Sequence, residues 1–288
     1  MLGFFFRHYD SFVDRYVVFD DGSTDGTLEA LRDHPRVEVR RFERRVPNSF
    51  VRSSQHLNNH AWKESRGSAD WVVVSAVDEH LYHRDLSGYL EAAKRAGVTA
   101  IPSLGYEMVS AEFPRPDETL VRSCTRGAPE PKWNKLNLFN PNAVRETNYV
   151  VGRHAAWPKG KIVYPESDEL LLLHYKYIEF NYLRRRHALL ATGLGALDHA
   201  NEWAHQFDFS DTELTGKLAS LENNAVDITA LDTPGQHHPD ARWWRLSPIT
   251  SWWRHHPALR ALRQHPAVRR SWLRWRRRDY QPRALPNE

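Results

Sequence analysis

Cysteine is almost absent: Cys124 is the only one in 288 residues. A lone thiol excludes an internal disulfide framework and fits a reducing compartment; its commoner use is as a buried apolar filler. Long apolar runs are missing too, since nothing approaches the ~18 residues that a membrane-spanning helix needs. The longest stretches, Trp71 to Val77 and Leu170 to Leu173, have the length of buried strands. The start, Met1 to Phe6, is apolar but passes at once to Arg7, His8 and Asp10. It has no basic start, apolar core or small-residue cleavage site of a signal peptide, so the expected location is the cytoplasm. Acids are absent from Arg242 to Arg278, where eleven arginines fall, while the whole chain carries only +4. A basic tail therefore follows a net acidic body. With 41% hydrophobic and 26% charged residues, the chain is not disordered throughout.

Strand and helix patterns alternate through the first hundred residues. Arg15 to Phe19 is a short β-branched and aromatic run that ends in the turn Asp20-Asp21-Gly22-Ser23. Thr24 or Asp25 then caps a helix through Leu28 and Leu31 that ends near His34-Pro35. Val37 to Val39 predicts a second strand, and Leu57, Ala61 and Trp62 a helix stopping at Gly67. Trp71 to Val74 reads as a buried strand ending in Asp78-Glu79-His80. Leu86, Leu90 and Ala93 predict a helix before a strand over Val98 to Pro102. This order predicts an α/β fold, a parallel or mixed sheet covered by helices, with ligands at the carboxyl ends of strands.

Beyond residue 102 the pattern is more strand-rich. Lys132 to Phe139 alternates polar and apolar, and Leu170 to Leu173 leads into His174-Tyr175-Lys176. Ile178, Tyr182, Leu183 and Leu189 are the expected core contacts of a following helix. Residues 201–240 read as an irregular linker and 241–288 as a basic helical tail. Two short helices, each with Pro in its first turn, are expected at His256 to Arg260 and His265 to Arg269. The pairs His237-His238 and His255-His256 read as solvated.

The stretch Phe19-Asp20-Asp21-Gly22-Ser23-Thr24-Asp25-Gly26-Thr27 carries the most chemistry. A carboxylate at a strand end can accept the imide N–H of a uracil or bond a ribose hydroxyl; the plain alternative is a βα turn with an Asx-type cap. The stretch resembles the signature of the family 2 glycosyltransferases. That resemblance covers roughly residues 4 to 190 and implies a Rossmann-like GT-A fold in residues 1–200. It matches Asp21 to the base-binding aspartate, with Asp20, Ser23 and Asp25 around the nucleotide. Ala69 to Tyr82 resembles the strand that delivers the family's Asp-X-Asp metal motif, in a subgroup reading Asp-X-Asp-Glu-Phe-Leu-Tyr. Asp78 matches the metal-touching aspartate, whereas Ala76 stands at the first position and His80 replaces the aromatic. A divalent cation, Mg²⁺ or Mn²⁺, is what the resemblance implies, since it neutralises diphosphate and acts as a Lewis acid on the leaving group. The alternative is an acidic strand end facing water.

His174 is an imidazole that suits either a late metal ligand or a core histidine. Glu166, Asp168 and Glu169, with Glu79, are candidate acids for deprotonating an acceptor hydroxyl, or simply solvated surface. Lys135 matches a basic family position, as a point charge on diphosphate or as the exposed face of a strand. Family members begin with a strand ahead of the helix holding Phe4 to Tyr9. Here Met1 falls just before that helix, so the resemblance implies a central strand missing, through a start placed too late or through decay. Its loss should expose apolar neighbours and weaken the pocket.

The expected activity is inverting transfer of a sugar from a nucleotide-diphosphate donor to a glycan, polysaccharide or lipid-linked hydroxyl acceptor. The rival is a catalytically degenerate binding protein of the same fold. In the tail, Val268, Trp272 and Trp275 follow i, i+4, i+7 spacing among arginines. Peripheral contact of 242–278 with the inner face of the cell membrane is the expected use, ahead of nucleic-acid binding.

Overall fold

In the computed structural model, residues 1–238 and 242–245 are described. Contacts divide the chain between Ala241 and Arg242, and all elements named below lie in the first unit. Helix α1 (Leu2–Tyr9) buries Phe4, Phe6 and Tyr9. The apolar run after it forms β1 (Tyr16–Asp20), which crosses through α2 (Thr27–Arg32) to β2 (Val37–Arg41). The two strands pair in parallel, from Tyr16 opposite Val37 to Asp20 opposite Arg41. Next, α3 (Phe50–His60) starts at Ser49, whose side chain accepts from the Arg52 N–H. A 3₁₀ turn, Ala61–Ser65, extends it to Gly67, which sits at φ +77° as a chain reversal requires.

A mixed sheet holds most of the rest. Its members are β3 (Val72–Val73), β4 (Glu79–Tyr82), β5 (Ala100–Ser110), β6 (Arg126–Pro129), β7 (Lys135–Phe139), β10 (Leu171–Ile178) and β11 (Val226–Asp227). Between them run α4 (Leu86–Arg95), α5 (Leu120–Ser123), and a separate hairpin of β8 (Val144–Glu146) with β9 (Lys159–Gly160). After β10 come α6 (Phe180–Thr192), α7 (Ala196–Ala200), α8 (Asp211–Asn223) and α9 (Pro234–His237).

Strand β5 is the spine. It pairs in parallel with β10 on one edge and antiparallel with β7 and then β6 on the other. β10 in turn pairs antiparallel with β4, placing His174 opposite both Glu79 and Glu107. Among the described residues, β1 pairs only with β2, and β3 only with β7. One core nevertheless joins the two sheets: Phe6, Tyr16 and Leu31 pack in one cluster with Leu81, Ile101, Leu138 and Leu172. Each such side chain contributes about 1.5–3 kcal/mol on burial. The chain is thus a mixed α/β fold, and among the described residues no helix is long and apolar enough to cross a membrane.

Several details differ from the sequence reading. β7 is buried at every position, so Lys135 and Asn137 are not the exposed face of an alternating strand. β10 runs on through His174 to Ile178, and Ile178 is a strand residue. Leu189 is 69% exposed, so Leu183 anchors α6 and Leu189 does not. Within the expected linker, α8 opens with a Ser210–Glu213 capping box and buries Leu214 and Leu221 beside Val109 and Tyr177. His238 is buried with its Nε2 3.0 Å from the Gly105 carbonyl, so only His237 of that pair is solvated. Cys124 is buried, as a filler should be. The helices expected from His256 onward, and the Trp272–Trp275 pattern, lie outside the described residues.

Candidate functional site

At the end of β1, Asp20 folds the turn. Its Oδ2 accepts from the N–H groups of Gly22 (2.9 Å) and Ser23 (3.0 Å), and the Ser23 hydroxyl donates to Oδ1 at 2.5 Å. Gly22 takes φ +86°, open only to glycine without strain. Asp25 Oδ1 accepts from the Thr27 N–H at 3.2 Å and starts α2. Asp21 takes no part in this turn. Its carboxylate meets Arg44, with Nη2 at 2.5 Å and Nε at 3.2 Å. Both line an open cleft of about 560 Å³ with Asp20, Gly22, Arg41 and Phe42.

A second, buried constellation lies where β3 passes into β4. Asp78 Oδ2 accepts from Arg186 Nη2 at 2.8 Å, and His174 Nε2 lies 3.7 Å from the same oxygen. Burial alone would raise the Asp78 carboxyl, but the charge of Arg186, joined by that of His174 when the imidazole is protonated, outweighs it and holds it at about 2. On the other ring nitrogen, His174 Nδ1 donates to Glu107 Oε2 at 2.9 Å, and Trp133 Nε1 donates to Glu107 Oε1. Trp133 lies against His174 with ring centroids 4.1 Å apart.

Glu79 faces the opposite way and is fully engaged. Lys135 Nζ donates to its Oε1 at 2.6 Å; Arg153 Nη2 at 2.5 Å and the Ala76 N–H at 3.2 Å donate to Oε2. Burial works against ionisation, yet Arg153 and Lys135 hold this carboxyl well below its ordinary range. Burial likewise lowers Lys135 to about 8, with Glu79 opposing. Arg153 itself sits at φ +58°, beside Gly152 at φ +69°. A non-glycine residue there costs on the order of 1–3 kcal/mol, and the Glu79 pair holds it in place.

Helix α6 links the two carboxylate sites. Arg186 in its middle binds Asp78, while Arg44, which holds Asp21, donates from Nη1 to the Gly193 carbonyl just past its end, at 2.7 Å. Seven residues of helix rise about 10 Å.

No family model and no curated protein matches this sequence.

Of the sequence candidates, the fold brings Asp78, Glu79, Lys135 and His174 into one buried cluster, whereas Asp20, Asp21, Ser23 and Asp25 stay in the turn and cleft after β1. It does not bring Glu166 or Asp168 to the cluster. β4 and β10 are antiparallel, with His174 opposite Glu79 and Leu171 opposite Tyr82. Leu171 is therefore about 10 Å along the strand from His174, and Glu166 to Glu169 precede it. Glu169 meets His83, beyond the far end of β4, at 3.4 Å. Glu166 is exposed and Asp168 is buried.

Four members of the cluster escaped sequence reasoning: Glu107, Trp133, Arg153 and Arg186. Glu107 left a signal, as the only charged residue in the eleven of β5. Arg153 follows a glycine turn. Arg186 is one of three consecutive arginines, and only packing selects it.

Asp78 Oδ2 and His174 Nε2 lie close enough to share one ion, and the Glu107 bond fixes the tautomer that leaves Nε2 its lone pair. Ala76 adds no ligand. Among the described residues no group of three His, Cys, Asp or Glu is set to hold an ion. The described residues thus offer two candidate ligands, and the Asp78 oxygen among them already accepts from Arg186.

Proposed function

We propose that the chain is a GT-A-like glycosyltransferase that moves a sugar from a nucleotide-diphosphate donor to a hydroxyl acceptor. The observation that carries this reading is the bridge through α6, which sets Asp21 of the open cleft and buried Asp78 along one helix. A nucleoside held at Asp21 then has its diphosphate directed toward Asp78. The resemblance of residues 19–27 and 69–82 to family 2 glycosyltransferases supplies the reaction class.

In this reading Asp21 accepts from the base or ribose, and Asp20, Ser23 and Asp25 shape the loop that presents it. Asp78 and His174 hold Mn²⁺ or Mg²⁺, which when bound neutralises the leaving diphosphate. Glu107 and Trp133 orient His174. Glu79 is a positioning residue, because both its oxygens are tied to Lys135, Arg153 and the Ala76 N–H. Glu166 and Asp168 lie toward the other end of β10, so neither is assigned the acceptor's proton. The C–O bond to the acceptor forms as the bond from sugar to diphosphate breaks, and nucleoside diphosphate leaves.

Isothermal titration of UDP-sugars and GDP-sugars with Mn²⁺ tests the proposal. Binding that Asp21→Ala weakens at least tenfold, with donor turnover that Asp78→Ala abolishes, is the expected result. Absence of binding to any nucleotide sugar rejects it.

A second reading is favoured by one observation: Asp21 and Asp78 are each already neutralised by an arginine. A degenerate binding protein would keep such closed pairs. Nucleotide binding without turnover at any cation concentration selects this alternative. In either case the 242–278 tail is proposed to rest on an anionic bilayer at the cytoplasmic face. Vesicle sedimentation with and without anionic lipid checks it, and salt-sensitive DNA binding by the tail alone is the competing outcome.

A further inference from the structure

Lys176 is 5% exposed, and among the described residues its ammonium makes no ion pair or hydrogen bond. It lies 5.2 Å from the ring centre of Phe207 and 5.4 Å from that of Tyr177. The nearest carboxylates by charge are Glu107 and Asp78. Both are committed, Glu107 to His174 and Trp133, and Asp78 to Arg186. Next to it, His187 is 2% exposed with neither ring nitrogen hydrogen-bonded. The Gln206 carbonyl approaches its ring without reaching hydrogen-bond geometry. The Phe207 ring packs against His187 as well, at 5.3 Å. Arg186, one residue earlier on α6, has a buried Nε–H outside hydrogen-bond geometry, with the Tyr182 hydroxyl its neighbour.

Buried polar groups without partners are rare, and a buried ammonium without a counter-ion is destabilising. Here Arg186 Nε and both His187 nitrogens are such groups, and the unpaired Lys176 ammonium lies beside them against the Phe207 ring that His187 also meets. Their combined chemistry asks for an acceptor carrying negative charge. We propose that Lys176, Arg186 and His187 form a binding site for a phosphate-type oxyanion beside Phe207. Identifying that oxyanion as the donor's diphosphate rests on the function proposed above; the site itself stands on these contacts. Lys135, the basic residue the sequence singles out for diphosphate, is spent on Glu79, and Lys176 takes that role. In the transfer step it would receive the charge left on the diphosphate when the bond to the sugar breaks, with Arg186 shared between the ligand and Asp78.

The test follows the thermal midpoint and titration heat of the full chain with pyrophosphate, in EDTA so that no cation contributes. Pyrophosphate is expected to raise the wild-type midpoint. Lys176→Met is expected to melt at or above the wild type in buffer alone, having lost an uncompensated charge, and to bind pyrophosphate at least tenfold more weakly. His187→Leu gives the same readout should Lys176→Met fail to fold. No rise in the wild type, or equal affinity in the variants, overturns the site. UDP, GDP and a short-chain alkyl phosphate then separate the sources. Tighter binding of UDP or GDP, lost in Asp21→Ala, places the oxyanion on the donor. Tighter binding of the alkyl phosphate, indifferent to Asp21, keeps the site and rejects the donor reading.

Discussion

Glu107 on β5 accepts the Nδ1–H of His174 on β10 at 2.9 Å, across two parallel strands that place the residues side by side. This one bond decides which imidazole nitrogen faces Asp78. Glu107→Gln keeps the shape but removes the charge that fixes the tautomer. Affinity for Mn²⁺ with a nucleoside diphosphate is expected to fall about 10–100-fold, measured by titration calorimetry. Unchanged affinity with an unchanged melting point counts against the ligand role of His174.

Ala76 is exposed, at the position that the resemblance to family 2 glycosyltransferases aligns with a second acid. Ala76→Asp adds that oxygen without entering the core. Cation affinity is expected to rise at least about tenfold, the effect of one further hard ligand on a two-ligand site. Manganese binding followed by electron paramagnetic resonance reads it directly.

Glu79 compensates two buried cations. Glu79→Ala strands both, and the expected loss is about 3–5 kcal/mol in urea unfolding, as for other broken buried pairs. A loss under 1 kcal/mol contradicts the structural role given to this residue.

Lys135 supplies a pH signature. Its folded value of about 8 lies below the ordinary lysine value, so from pH 8 to about 10 the unfolded chain binds this proton more than the folded one does. The group's contribution to stability therefore rises with pH across that window and is level below it, where both states hold the proton. Lys135→Met should flatten the slope of unfolding free energy between pH 8 and 10 relative to wild type. Parallel slopes would refute the burial of this charge.

Gly105 abuts Trp133 so closely that an added Cβ would sit 2.5 Å from its backbone carbonyl carbon. Gly105→Ala must push Trp133, and with it Glu107 and His174. A destabilisation of about 1–3 kcal/mol is expected from overpacking, together with weaker nucleotide binding by calorimetry.

Local sequence determined what local physics controls. The apolar run to Phe19, the Asp20–Gly22–Ser23 turn and the helix after it needed no distant partner, because Asp20 bonds its own turn. The strand expected from Trp71 toward Asp78 is shorter: β3 keeps only the half-buried Val72 and Val73, and Glu79 opens a separate strand, β4, because β7 reaches only that far along β3. The partners of those carboxylates were not legible. Arg186 is 108 residues from Asp78, and nothing in three consecutive arginines says which one points inward. Lys135 and Asn137 alternate as exposed residues would, yet β5 and β3 close over their strand and bury both. Glu166 and Asp168 are near His174 in sequence but toward the other end of an antiparallel pair. Sequence fixes which groups exist and how each turn is built. Only the pairing of strands, which a one-residue slip would invert, decides which charges meet.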